Sequence, residues 1–328
     1  MTIGHRSGHA LAVGGRRDTL EGMTSSVRHA LVAAAVSLGL ALVAGCGGAG
    51  GEDPGDGAQP SDSTGTTGDP TDTPPGDPVD LIDLWRVSGA EGEESDTWLR
   101  LEAGQFQLWR DCGMLMGEWA ASSTLFLASI SSWSGSCSVD DPEGADDAED
   151  ATIPAVPWLD LVTEYRSAAS GWDLLDADGA VVATLSIDGA PEPIDTAASS
   201  YAEPPEVTDE VRAWLAAPAP LPDGVTPASE DDLVGRWIPI DTVPTDPHVE
   251  FAADGTWTGS DGCNGGGGRW VIDPDGLVLT TSGPQTLIGC EGAPVPSWVA
   301  MTRTAALDGA VLSLFDRDGE LLGELAAG

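Results

Sequence analysis

Residues 232–270 read DLVGRWIPIDTVPTDPHVEFAADGTWTGSDGCNGGGGRW, and residues 80–119 read DLIDLWRVSGAEGEESDTWLRLEAGQFQLWRDCGMLMGEW. Laid over one another, the two stretches share a spacing of apolar, glycine and cysteine positions. Asp80, Leu81 and Trp85 match Asp232, Leu233 and Trp237, while Leu101, Gly104 and Phe106 match Phe251, Gly255 and Trp257. Cys112 matches Cys263, and Gly117-Glu118-Trp119 matches Gly268-Arg269-Trp270. Further on, Leu125-Phe126-Leu127 matches Leu277-Val278-Leu279, Cys137 matches Cys290, and Trp158 matches Trp298. The turn Asp176-Ala177-Asp178-Gly179 matches Asp316-Arg317-Asp318-Gly319. The register is 151 at Trp119 and Trp270 and falls to 140 at Trp158 and Trp298, because the first copy carries an acidic insertion around Val139 to Ala155. Ordered matches at so steady an offset identify a duplicated module.

Within each copy the pattern is mainly strand. Thr97 to Leu101, Thr124 to Ile130, Ala180 to Ile187, Trp270 to Ile272 and Ala310 to Phe315 are short, β-branched or aromatic runs separated by Asp-Gly, Pro-Asp-Gly or Ala-Gly turns. One helix per copy is expected where Trp158, Leu161, Val162 and Tyr165, and again Trp298, Met301, Thr302 and Ala305, recur at helical spacing. Between the copies, Pro191 to Pro222 is rich in Pro and Ala. It reads as a semi-rigid spacer with a short helix from Thr208, its cap, to Ala217.

The chain of 328 residues carries 54 acidic and 13 basic side chains, a formal net charge of -41, and every basic residue is Arg. A field of that sign repels phosphate backbones, which excludes nucleic acid as a partner. Upstream, Arg28 and His29, the apolar run Ala30 to Ala44 and the small residue Gly45 before Cys46 have the three-part layout of a secretory signal, with Met23 as the expected start. The apolar run is shorter than the roughly 20 residues of a membrane-spanning helix. Leu42-Val43-Ala44-Gly45-Cys46 resembles the lipobox of bacterial lipoproteins, which implies cleavage before Cys46 and a lipid on its thiol. The expected location is therefore extracytoplasmic, anchored to the cell membrane or an outer membrane.

The expected organisation is a signal-bearing segment 1–45, a Gly/Asp/Pro/Ser/Thr tether 46–78, a first domain 79–190, a linker 191–230 and a second domain 231–328. The tether has too little apolar surface to fold and reaches up to about 100 Å when extended. With Cys46 assigned to the lipid, four cysteines remain, two per copy. In an oxidising compartment, Cys112 with Cys137 and Cys263 with Cys290 is the first of three connectivities. Zinc is disfavoured because the cysteines are isolated and His248 is the one histidine after Cys46.

The second copy resembles the META domain, also called the HslJ-like domain, over about Asp231 to Leu325. The resemblance is carried by Leu233-Val234-Gly235-Arg236-Trp237, Phe251, Asp254-Gly255, Gly262-Cys263-Asn264, Thr286 four residues before Cys290, and the closing hairpin at Leu312-Ser313-Leu314. The first copy, about Val79 to Asp188, resembles a diverged version: Gly113 stands where Asn264 stands, and Trp133 where Thr286 stands. The resemblance implies two tandem small antiparallel β-barrel-like domains of lipocalin-like topology, each with one short helix. It also implies an envelope lipoprotein, in a family associated with heat-shock response and novobiocin resistance.

Nothing in the sequence assembles a catalytic set or a cofactor site. His248, at a strand start, reads as a surface residue rather than a general base. The Asp-x-Asp-Gly runs at Asp176 and Asp316 read as turns, since Leu185 and Leu325 stand where an EF-hand needs its Glu. Gly265 to Gly268 lacks the Lys of a phosphate loop and reads as a flexible hairpin loop. The matched Trp pairs read as core. The unmatched Trp109, Trp133, Trp172 and Trp214 are candidates for a contact surface, with packing favoured. The expected function is non-enzymatic: interaction with an envelope partner or envelope stress response, the alternative being a carrier of small apolar ligands inside a barrel.

Overall fold

The computed structural model describes residues 76–137, 154–192, 198–241, 243–286, 288–289 and 291–328. The segment read as a signal, Met23, Cys46, most of the segment read as a tether, Cys290 and residues 139–153 of the acidic insertion lie outside the described residues. None of the described helices is long and apolar enough to cross a membrane.

The protein is mainly β, with two eight-stranded antiparallel sheets of identical strand order. The first contains β1 (Asp83–Ser88), β2 (Trp98–Glu102), β3 (Gln105–Arg110), β4 (Gly113–Ala121) and β5 (Phe126–Gly135). After helix α1 (Pro157–Leu161) come β6 (Glu164–Ala168), β7 (Gly171–Leu175) and β8 (Val181–Ser186). The linker carries α2 (Asp209–Leu215) and α3 (Glu230–Leu233). The second sheet contains β9 (Gly235–Pro239), β10 (His248–Phe251), β11 (Thr256–Ser260), β12 (Gly265–Ile272) and β13 (Val278–Thr280). Helix α4 (Val295–Met301) precedes β14 (Thr304–Asp308), β15 (Val311–Phe315) and β16 (Leu321–Ala327).

Within each copy consecutive strands pair, except β5 with β6 and β13 with β14, and the first and last strands of each copy pair with each other. The two remaining edges meet through single bridges, Leu125 to Glu164 in the first copy and Leu277 to Thr304 in the second. Both sheets therefore curl into barrel-like, up-and-down units, which shortens the exposed edges an open sheet would leave.

That closure also explains why the helices are shorter than their apolar spacing suggests. Val162 and Thr302 end the helices in extended conformation. The next carbonyls, of Thr163 and Arg303, accept the amides of Phe126 and Val278 at 2.9 Å. Tyr165 and Ala305, which continue the apparent helical period, belong instead to the closing strands β6 and β14. The order also starts within the segment read as tether: Asp77 caps a 3-10 turn, Pro78–Leu81, and the Gly76 amide donates to Ser123 O at 2.8 Å.

Alternation along the strands sends one set of side chains inward. Trp85, Leu99, Leu101, Phe106, Leu108, Leu115, Trp119 and Phe126 fill the first barrel, and Val249, Phe251, Trp257, Trp270, Leu312 and Leu314 the second. In both copies the indole N–H of the first-strand Trp donates to the Leu carbonyl four residues earlier, at 2.8 Å for Trp85 with Leu81 and for Trp237 with Leu233. The outward face of the first barrel is covered as well. Leu84, Trp98, Trp109 and Met114 form a second cluster there, packed beneath Tyr201 of the linker. The spacer is thus docked against the first barrel: Val211 and Leu215 of α2 join its core, and Trp214 meets Trp119 edge to face at 6.1 Å.

Candidate functional site

The glycine run at 265–268 is strand β12, not a loop, and it sets the geometry where the two barrels meet. Gly268 needs to be glycine: a Cβ there would lie 1.9 Å from Thr281 O on the adjoining strand segment. Gly117, its match in the first copy, would collide with Ser129 O at the same 1.9 Å. The following residues, Glu118 and Arg269, are carried out to the junction.

Arg269 is buried and reaches from β12 into the first copy. Its guanidinium donates to Ala128 O at 3.0 Å, to Leu159 O at 3.2 Å, and to the carbonyls of Asp160 and Val162. Three of those carbonyls belong to the C-terminal end of α1, where a helix leaves acceptors without partners and favours a cation. Burial holds Arg269 below the ordinary guanidinium value, opposed by the charges of Asp160 and Asp254. Burial raises the Asp160 carboxyl, and the Arg269 charge partly restores it. In the reverse direction the Glu118 carboxylate accepts the Ser282 amide of the second copy at 3.2 Å.

Beside these two contacts, Leu125, Leu127 and Leu279 bury one another, with Ala120, Val271 and Leu277 against them. The six residues are three matched pairs of the duplication: Ala120 with Val271, Leu125 with Leu277, Leu127 with Leu279. The barrels thus meet through equivalent surfaces, as in a pseudo-twofold pair. Two clefts flank the junction. One, of about 610 Å³, contains Ile130, Asp160, Asp254 and Arg269; the other, of about 520 Å³, lies between the barrels under α2. A third, of about 300 Å³, is on the first barrel beside Trp109 and Cys112.

Several of the sequence-derived residues prove structural. Cys112 and Cys137 form a disulfide, with Cα atoms 4.8 Å apart. Cys263 is also disulfide-bonded. Asn264 braces the segment after Thr286: its side-chain oxygen accepts the Ile288 amide at 2.5 Å and its amide donates to Ile288 O at 2.7 Å. Asp261 holds the turn before it by accepting the amides of Cys263 and Asn264. These bonds, with that from the Asn264 side chain first, lower the Asp261 pKa. Gly262 has φ +97°, and Thr245 occupies the place of its missing Cβ. Thr286 is exposed. His248 begins β10, with Nδ1 2.9 Å from the Asp246 carbonyl oxygen. Asp176 and Asp316 are turn residues, each accepting two backbone amides at 2.9 to 3.0 Å.

Of the unmatched tryptophans, Trp109 is buried, contrary to a surface role, while Trp133, Trp172 and Trp214 are half-buried. Trp172 donates to Asp80 O, and only Trp214 faces one of the two junction clefts. The junction itself was invisible in sequence. Arg269 matches an acidic residue in the other copy, and nothing local says which surfaces of the two modules meet. Compared with protein-family models, curated proteins and solved structures, the chain matches none.

Proposed function

We propose that this is a non-enzymatic envelope lipoprotein, acylated at Cys46, which holds two META-like barrels away from the membrane on an acidic tether for interaction with another envelope component. The observation that carries the reading is the filling of both barrels. Trp119, Phe106 and Phe126 in one, and Trp257, Phe251 and Trp270 in the other, occupy the space a lipocalin-like carrier needs for its ligand. Packed interiors favour recognition on the outer surface, where the junction clefts lie, over carriage inside a barrel. The lipobox-like sequence before Cys46 supports the anchor, and the net charge of -41 supports a protein partner or small ligand over nucleic acid.

Metabolic labelling with an alkyne fatty acid, followed by membrane fractionation, tests the anchor. The wild-type chain is expected to carry label and sediment with membranes, while Cys46→Ser carries none and is released. An unlabelled, soluble wild-type chain would overturn the reading.

A further inference from the structure

Acidic residues outnumber basic ones 54 to 13 in this chain, so an arginine in the folded part that lacks a carboxylate partner is conspicuous. Arg86, Arg100, Arg110, Arg166 and Arg236 all form ion pairs. Arg269 is committed to the barrel junction. Among the described residues the remaining three, Arg212, Arg303 and Arg317, form no ion pair, and all three line the 520 Å³ cleft under α2.

The barrel fold does not demand them. Arg303 and Arg317 stand where the first barrel has Thr163 and Ala177, and that barrel closes with the same bridge and the same turn. Both arginines do satisfy backbone carbonyls. Arg317 donates to Ala213 O at 3.3 Å and to the carbonyls of Trp214 and Ala216, which docks the end of α2. Arg303 donates to Ala300 O at 3.3 Å and Thr302 O at 2.7 Å. Neutral carbonyls use up N–H groups but leave the formal charge in place. Arg303 and Arg317 are both half-buried and line the same cleft, and burial, then the Arg317 charge, lower the Arg303 pKa. Asp77 also lines the cleft with a carboxylate whose Oδ1 accepts the Val79 amide at 2.9 Å, but it pairs with none of the three arginines, which outnumber it.

Apart from Ser122 and Ser123 on one side, the rest of the wall is mostly apolar, with Val79, Ala121, Trp214, Leu277 and Leu279 prominent. A volume of about 520 Å³ lies within the range of about 300–1,000 Å³ typical of small-molecule sites. We infer that this cleft binds an amphipathic organic anion, a carboxylate or phosphate on an apolar body, with its charged end toward Arg212, Arg303 and Arg317 and its body against Trp214 and the two leucines. A free molecule is favoured over a headgroup in an anionic bilayer, because the net charge of -41 repels such a surface. The inference is independent of the Cys46 anchor.

Calorimetric titration of the full chain carrying Cys46→Ser, with laurate kept monomeric, tests it. One laurate is expected per chain, with dodecanol binding at least about tenfold more weakly and inorganic phosphate not detectably. Arg303→Gln is expected to weaken laurate about tenfold and leave dodecanol unchanged. That variant also loses two backbone bonds, so Arg212→Gln, at an exposed position, is measured beside it and is expected to weaken laurate severalfold with an unchanged melting temperature. Absence of laurate binding, equal affinity for laurate and dodecanol, phosphate binding as tight as laurate, or full laurate affinity in Arg212→Gln would each overturn the assignment.

Discussion

Trp85 and Trp237 show how much a single side chain can reveal through its place in a repeat. An indole buried at a repeated position needs an acceptor, and the Leu four residues earlier supplies one in each copy. The Cys112–Cys137 pair was legible for a similar reason, from matched placement of two cysteines in each copy. That crosslink closes a separation of 25 residues. The double variant Cys112→Ser with Cys137→Ser is therefore expected to lose about 2–4 kcal/mol of unfolding free energy. Urea melts of oxidised wild type and the variant measure it. Arg269 was not legible, because its partners are backbone carbonyls more than a hundred residues away. Main-chain acceptors leave no signature in the residue types that carry them.

Among the elements, β12 is where local pattern misleads most. Four consecutive glycines lack the side chains by which strands are recognised, and glycine is normally depleted there. Here close backbone approach requires them. Because Thr281 O sits 1.9 Å from where a Cβ would be, Gly268→Ala is expected to force β12 and β13 apart, at a cost of about 3 kcal/mol or more. Gly265→Ala, whose nearest neighbour is 3.9 Å away, is expected to cost less than about 1 kcal/mol. Thermal denaturation of the two variants side by side checks the contrast. The helices failed in the opposite sense: Tyr165 and Ala305 extend an apolar period that the chain abandons in order to close each barrel. Periodicity records which residues face the core, and a strand that follows a short helix can share its phase.

For the whole molecule, duplication was legible from the spacing of matched residues, while the union of the copies was not. At the junction the matched pair Glu118 and Arg269 works across the boundary in opposite directions, one accepting an amide and the other donating to carbonyls. Arg269→Met keeps bulk but removes the guanidinium donor from the Ala128, Asp160 and Val162 carbonyls and one of two donors from Leu159 O. It is expected to cost about 3 kcal/mol and to split one calorimetric unfolding transition into two, one per barrel. A single unchanged transition would show that the barrels are coupled by other contacts. Two separate copies of one ancestral module would have had to present the same residue twice at this place, acid to acid or arginine to arginine. Encoding both in one polypeptide releases that constraint. A linker docked along the first barrel also keeps the two surfaces at an effective concentration of about millimolar. A contact patch of a few leucines, too weak to hold independent chains together at cellular abundance, can then remain shut.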